Sequence, residues 1–278
     1  MTSSAAARAF YARLVAGNGG TRDGRIIAAF EAVPREQFVG PGPWPVFALA
    51  GGYIETPSDD LAYLYQDVLV GLARDRGLNN GQPSLHARSL AALAPAPGET
   101  VIHVGAGTGY YTALLANLVG ATGSVIAYEV EGDLAERASA NVGGLPNVRI
   151  LHRSACEGAL EPCDAIYVNA GATHPLDSWL DALRPNGRLL FPLTPDEGLG
   201  GMLLVTRRGR SQFAARMVCA AAFVPCIGAR EAGMAKRVAA AFAGGNARNV
   251  QSLHRGTEPD DSCWLAGETW WLSTAARH

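Results

Sequence analysis

The sequence predicts an α/β protein: a doubly wound, mostly parallel sheet with an antiparallel edge, helices on both faces and a C-terminal extension. Three observations carry this. Between about residues 100 and 190, β-branched and aliphatic runs alternate with stretches of helical periodicity, the pattern of βαβ units feeding a parallel sheet. The stretch Val101-Ile-His-Val-Gly-Ala-Gly-Thr-Gly-Tyr110 reads as a strand buried on both faces, a glycine turn and the start of a helix. Beyond residue 190 the apolar runs are separated only by short turns, as in antiparallel hairpins.

Size and composition bound the rest. With 278 residues, 48% of them hydrophobic, the chain can bury the core of one large domain carrying an appendage. The expected division is 1–228 for the sheet domain with its N-terminal helices and 229–278 for the extension, packed on that domain or at a dimer contact. A formal net charge of −2 without a basic block argues against nucleic acid as partner. No apolar run approaches the roughly 20 residues of a membrane span, and Met1 to Arg8 lack a signal-peptide core. The five cysteines, Cys156, Cys163, Cys219, Cys226 and Cys263, are odd in number and form no C-x-x-C pair. They are expected as reduced thiols of a cytoplasmic protein; a catalytic cysteine is the lesser reading. His86, His103, His152 and His174 show no ligand-like spacing, so no metal is expected.

Taken in order, residues 4–16 carry a short helical pattern broken by Asn18-Gly-Gly20. A second helix runs from Thr21 to Val33 with Ile26, Ile27, Phe30 and Val33 on one face, stopped by Pro34. Gly40-Pro-Gly-Pro-Trp-Pro45 reads as a rigid, irregular connector. Ser58-Asp-Asp60 looks like a helix cap. From Leu61 to Leu72 the apolar spacing is helical, yet Val68-Leu-Val70 also suits a strand, and periodicity leaves the two open. A turn-rich loop over 77–84 follows, then a helix with Pro83 in its first turn and Leu85, Leu90 and Leu93 along it.

After the central motif, in which Thr108 is placed to cap a helix through Ala113, Leu114, Leu115 and Leu118, Ser124 to Glu129 reads as a strand. Leu134 to Val142 reads as a helix ended by Gly143-Gly144, and Val148 to Leu151 and Asp164 to Val168 as strands. Leu176 to Leu183 is an expected helix, stopped by Pro185-Asn-Gly187. Further strands are expected at 188–191, 202–205, 213–219 and 223–224, with Arg207-Arg-Gly-Arg210 as a hairpin turn. Glu231 to Phe242 is an Ala-rich helix, and Trp264, Trp270 and Trp271 mark a last segment that requires burial.

The glycines point to a ligand. Gly105, Gly107 and Gly109 allow a tight turn and close backbone approach, and the helix behind them offers free N–H groups to a polar or anionic group. A dinucleotide fingerprint requires G-x-G-x-x-G/A, but Tyr110 occupies the third small position. About twenty residues on, Glu129 ends a strand, where a carboxylate can take both hydroxyls of a ribose; a solvated strand-end charge is the plain alternative. In doubly wound sheets the ligand sits at the carboxyl ends of the strands, where Gly105, Glu129, Ser154 and Asn169 are expected to converge.

Several stretches together resemble one family. Val33-Pro-Arg-Glu-Gln-Phe-Val39, Gly81-Gln-Pro-Ser84, the G-x-G-x-G motif of Val101 to Tyr110, Asp164-Ala-Ile-Tyr-Val-Asn-Ala-Gly-Ala172, Leu183-Arg-Pro-Asn-Gly-Arg-Leu189 and Phe223-Val-Pro225 are similar to protein-L-isoaspartate O-methyltransferases. The resemblance runs from about residue 20 to 228. It implies a Rossmann-like methyltransferase sheet, S-adenosylmethionine as cofactor with S-adenosylhomocysteine as product, and an extended chain over Val68 to Leu72. It places the cofactor against Gln82, Ser84, His103, Gly105, Ala106, Gly107, Gly109, Tyr110, Glu129, Val130, Ser154, Ala155 and Asn169.

Three departures bear on chemistry. The family's Thr-Ile-Ser before Gln-Pro, whose serine faces the reacting carboxylate, is Asn79-Asn80-Gly81 here. The acidic residue two before the first glycine is His103. The Gly-Asp-Gly whose aspartate meets the adenine amino group is Arg153-Ser-Ala155, where Ser154 is a weaker partner than a carboxylate. A carboxylate acceptor is already ionised at neutral pH, so no strong base is required, and alignment of methyl and oxygen carries the rate. Asn79, Asn80 and Gly81 are the candidate catalytic loop, with the asparagine amides as replacement donors; a simple turn is the alternative. His86 is expected as a capping or packing histidine. The acceptor is a peptide or protein carboxylate or a small acid, and a binding module without turnover is the non-enzymatic alternative.

Overall fold

In the computed structural model, described for residues 4–48, 52–209 and 211–276, the chain forms two units: 1–99 with 106–153, and 100–105 with 154–278. The first begins with α1 (Ser4–Asn18), which buries Tyr11, Ala12, Val15 and Ala16. α2 (Gly24–Ala32) starts later than Thr21 because Asp23 caps it, accepting from the Arg25 N–H at 2.8 Å. α3 (Glu36–Val39) is a single turn. The proline-rich connector leads into a hairpin that the sequence did not announce, β1 (Pro45–Ala48) with β2 (Gly52–Glu55).

α4 spans only Leu61–Leu64, capped by Asp60 at the Ala62 N–H. The helical alternative to Leu72 fails for a visible reason. The fully buried guanidinium of Arg35 takes the carbonyls of Leu64, Gln66 and Val68 at 2.8, 3.1 and 2.6 Å, acceptors that a continuing helix would need for its own ladder. Val70 instead bridges Val46, and β3 (Gly71–Ala73) pairs with β4 (Leu78–Asn79) inside the stretch read as a turn-rich loop.

α5 (Pro83–Leu93) carries Pro83 in its first turn. The chain then passes through β5 (Thr100–Val104), a strand of the second unit. α6 (Tyr110–Val119) follows, capped not by Thr108 but by Gly109, whose φ of 93° gives the turn without any side-chain bond. β6 (Ser124–Glu129), α7 (Gly132–Asn141) and β7 (Val148–His152) make a βαβ unit with parallel register from Val125 opposite Val148 to Glu129 opposite His152.

In the second unit β5, β8 (Cys163–Val168) and β9 (Leu183–Leu193) are parallel neighbours. α8 (Asp177–Ala182) lies between the latter two in sequence. The expected stop at Pro185-Asn-Gly187 falls inside β9: the register jumps from Cys163 opposite Leu183 to Ala165 opposite Arg188. These turn residues bulge out of the ladder, with Asn186 at φ 64°. β10 (Gly200–Arg207) and β11 (Phe213–Ala221) continue antiparallel; Arg210 of their expected turn lies outside the described residues.

Phe223-Val224 is not a strand. β11 ends at Ala221, and Val224 serves instead as acceptor for the Gly171 N–H at 2.7 Å. Past α9 (Ala232–Ala243), the last segment adds β12 (Ser252–Arg255), β13 (Cys263–Ala266) and β14 (Trp270–Ser273), in the order β11, β12, β14, β13. Trp270 and Trp271 are buried, whereas Trp264 stays partly exposed against the Phe242 ring. The fold class is the one the sequence predicts, with a wider antiparallel edge. No helix among the described residues is long and apolar enough to cross a membrane.

Candidate active site

In the first unit, β4 and α5 hold the 79–84 loop. Asn79 Oδ1 accepts the Gly81 N–H at 2.8 Å, an Asx turn. Asn80 is buried, and its Oδ1 accepts from the Val70 N–H (2.9 Å) and the Arg35 guanidinium (3.3 Å). Those two donors orient the amide, and its Nδ2 has no hydrogen-bond partner among the described residues. Gly81 has φ 69°, and a Cβ built on it would lie 2.2 Å from His86 Nε2. The His86 ring, itself buried, stacks on Tyr111 with centroids 3.5 Å apart, as the packing reading expects. The imidazole therefore occupies the space of any side chain at position 81. Asp67 braces the loop by accepting from the Ser84 N–H at 2.9 Å and the Asn18 amide at 3.0 Å. Sequence reasoning passed over Asp67 and the clamp of Arg35, since no spacing in the chain links them to position 80 or 84.

The glycine turn re-enters this unit at Ala106, whose N–H bonds Tyr128 O at 3.1 Å. Gly107 and Gly109 have φ of 56° and 93°, and a Cβ at Gly109 would meet Val142 Cγ1 at 3.2 Å. The Glu129 carboxylate receives the Gly107 N–H at 2.6 Å on one oxygen and the Val130 and Glu131 N–H groups at 2.9 and 3.0 Å on the other. Burial raises its pKa, and those backbone donors work against that rise. Of the roughly four acceptor positions of a carboxylate, three are filled. Val130 is exposed beside it. The Tyr110 side chain is buried in an aromatic cluster with Tyr11, Phe30 and Phe38, which leaves its backbone at the turn.

In the second unit, Gly105 has φ 78°, with Asn169 3.6 Å from a Cβ built on it. His103 is fully buried, stacks on Tyr167, and contacts Asn169 Nδ2 through Nε2 at 2.7 Å. Burial lowers its pKa to about 3, so the ring is neutral and offers no charge where an acid is usual. Asn169 Oδ1 is enclosed without a hydrogen-bond partner among the described residues. Ser154 Oγ accepts the Cys156 N–H at 3.0 Å. The Ala155 carbonyl is taken by the Trp179 indole at 3.0 Å. Among the described residues, no three histidine, cysteine or acidic side chains are grouped to hold a metal.

The family profile described as Protein-L-isoaspartate(D-aspartate) O-methyltransferase (PCMT) matches residues 13–231. The chain belongs to this family. Among its relatives, the protein-L-isoaspartate O-methyltransferase of Methylorubrum extorquens is 33% identical over 208 residues, 75% of this chain and 82% of that protein. That of Methylorubrum populi is 33% identical over 230 residues, 82% and 97% of the two chains. A solved protein-L-isoaspartate O-methyltransferase superposes with TM-score 0.65 at 24% identity, over 78% of this chain and 65% of that one. A putative family member from Plasmodium falciparum, in complex with S-adenosyl-L-homocysteine, gives 0.64 at 21% over 80% and 98%.

The residues present fit the nucleoside cofactor of an isoaspartate O-methyltransferase. In the first unit Glu129 retains an unfilled acceptor position and Gly107 and Gly109 leave backbone bare of Cβ atoms; in the second, Gly105 does the same and Asn169 Oδ1 has no hydrogen-bond partner among the described residues.

Proposed function

We propose that the protein is an S-adenosylmethionine-dependent O-methyltransferase that esterifies the carboxylate of an isoaspartyl residue in a peptide or protein. The observation that carries this reading is Glu129, at the end of β6, tied through Gly107 to the glycine turn with one acceptor position left for a ribose hydroxyl. S-adenosylmethionine supplies an electrophilic sulfonium methyl when bound. The chain's part is to hold and orient. Glu129 takes the ribose, with Val130 beside it. Gly105, Ala106, Gly107, Gly109 and the Tyr110 backbone admit the chain of the cofactor. Ser154 and Ala155 face the base. His103, Asn169, Gln82 and Ser84 serve its polar end.

Asn79, Asn80 and Gly81 form the acceptor loop. The Nδ2 of Asn80, held in place from its other side by Arg35 and Val70, donates to the acceptor carboxylate. That group is ionised at neutral pH, so no proton has to be removed, and holding the oxygen in line supplies the rate, ~7–11 kcal/mol at best. Free thiols throughout the chain suit a cytoplasmic setting.

The test is transfer of labelled methyl from S-adenosylmethionine to an isoaspartyl peptide, with the aspartyl isomer as control. Glu129→Gln should weaken S-adenosylhomocysteine at least ~10-fold by calorimetry, about 1.4 kcal/mol; unchanged affinity would remove Glu129 from the site. A second reading, a small organic acid as acceptor, is favoured by one feature: the imidazole packed against bare Gly81 reshapes the acceptor loop. Labelled transfer to small dicarboxylates, with none to the peptide, would select it.

A further inference from the structure

Cys156 and Cys226 lie 70 residues apart in sequence, yet their sulfurs are 3.7 Å apart. Each sits on a loop at a strand's carboxyl end, one after β7 and one after β11. The approach is built into the backbone. A Cβ at Gly228 would lie 2.8 Å from Cys156 Cβ, so only glycine at 228 admits the cysteine. The Cys226 N–H is anchored to Gly171 O at 2.9 Å, and the Cys156 N–H to Ser154 Oγ at 3.0 Å. Both cysteines are free, Cys156 part-exposed and Cys226 buried. Residues 157–159 and Ile227 beside them are exposed, so neither loop is locked by packing on both sides.

We propose that Cys156 and Cys226 form an oxidisable thiol pair that a hydroperoxide converts to a disulfide, tying the loop after β7 to the loop after β11. The Cys156 thiolate attacks the distal peroxide oxygen; the O–O bond breaks, water or alcohol leaves after protonation, and Cys156 becomes a sulfenic acid. The Cys226 sulfur then attacks the Cys156 sulfur, the S–O bond breaks, the hydroxide leaves as water with the Cys226 proton, and the disulfide remains. Two thiols are oxidised by two electrons and one peroxide is reduced. The sulfurs must close by about 1.7 Å to reach a bond of ~2.0 Å. The order of attack follows from access and charge. The hydrogen bond from Cys226 and that from Ser154 hold the Cys156 thiol below its ordinary pKa against its burial, while the same pairing and burial raise Cys226.

One consequence rests on the reading of Ser154 as a base contact. Closing the disulfide pulls on the residue whose N–H is bonded to Ser154 Oγ, so the oxidised protein should bind S-adenosylhomocysteine several-fold more weakly.

The experiment uses the full chain, treated with hydrogen peroxide and read by mass spectrometry of intact protein and of peptides under non-reducing conditions. The expected result is loss of about 2 Da, a Cys156–Cys226 crosslinked peptide and full reversal by dithiothreitol. Cys226→Ser should stop at a dimedone-reactive Cys156, Cys156→Ser should leave Cys226 unmodified, and Cys163→Ser should behave as wild type. Gly228→Ala keeps both thiols but displaces Cys156, and should slow crosslinking at least tenfold. Retention of both thiols, or sulfinic acid at Cys156 without a crosslink, would overturn the proposal. Neither readout depends on the cofactor, so failure of the methyltransferase reading would appear separately, as absent nucleoside binding by the reduced protein.

Discussion

At the scale of single residues, the loop at 79–81 shows how one contact decides what a position accepts. Gly81 is disfavoured for any other residue twice, by φ 69° and by His86 Nε2 lying 2.2 Å from a built Cβ. Gly81→Ser should therefore destabilise the fold by about 1–3 kcal/mol, read as a lower urea midpoint. Adding His86→Ala removes the clash, so the double variant should lose less than the two single losses combined; strict additivity would show that the imidazole is not the obstacle. His103 makes a second residue-scale case. Its pKa is depressed to about 3 by burial, against ~6.5 in an unfolded chain. The unfolded state thus binds the extra proton first on acidification. Stability is fully present above about pH 6.5 and falls toward pH 3, with a slope of up to ~1.4 kcal/mol per pH unit. Unfolding of His103→Gln between pH 7 and 4 should lack that part of the slope, and identical slopes would mean that His103 is not buried neutral.

At the scale of elements, the buried Arg35 does what no local propensity does: it ends α4 and aims Asn80. Its guanidinium serves three carbonyls and the Asn80 Oδ1. Arg35→Met would leave those acceptors buried and unmet, at about 1–3 kcal/mol for each that fails to find water. The variant is expected to lose at least ~3 kcal/mol and to show faster amide exchange at Val70 and Asn80, whose N–H groups close this region. Exchange unchanged at both amides would assign the loop's order to β3 and β4 alone. The resemblance to the family selected the extended chain over Val68 to Leu72, but periodicity did not, because the deciding contact comes from a residue 29 or more positions away.

At the scale of the molecule, the last segment completes the second unit's sheet. β12 pairs with β11 through Phe213 opposite Leu253 and Ala214 opposite Ser252, and β14 and β13 follow beyond it. Leu253, Leu265, Trp270, Trp271 and Leu272 are buried there. A chain ended after Gly245 would expose the free edge of β11 and the apolar surface these residues cover, a template for aggregation. It should elute as soluble aggregate or precipitate where the full chain gives a single peak; a monodisperse truncated protein would show the extension to be dispensable for folding.

The sequence by itself determined the strand, glycine turn and helix of residues 101–119, the acid at Glu129, the parallel strand run and the family. Each of these is a local pattern: a period, a required positive φ, a motif of short span. The candidate site was legible to the same extent, in Gly105, Gly107, Gly109 and Glu129. What only the tertiary structure decided lies in contacts between distant residues. These are the Arg35 clamp that stops α4, the His86 ring against Gly81, the Asn169 amide on His103, the aromatic cluster that takes the Tyr110 side chain, and the bulge that absorbs Pro185-Asn-Gly187 into β9. Their energies come from burial and from satisfying buried polar groups, and neither exists until the chain has brought its distant segments together.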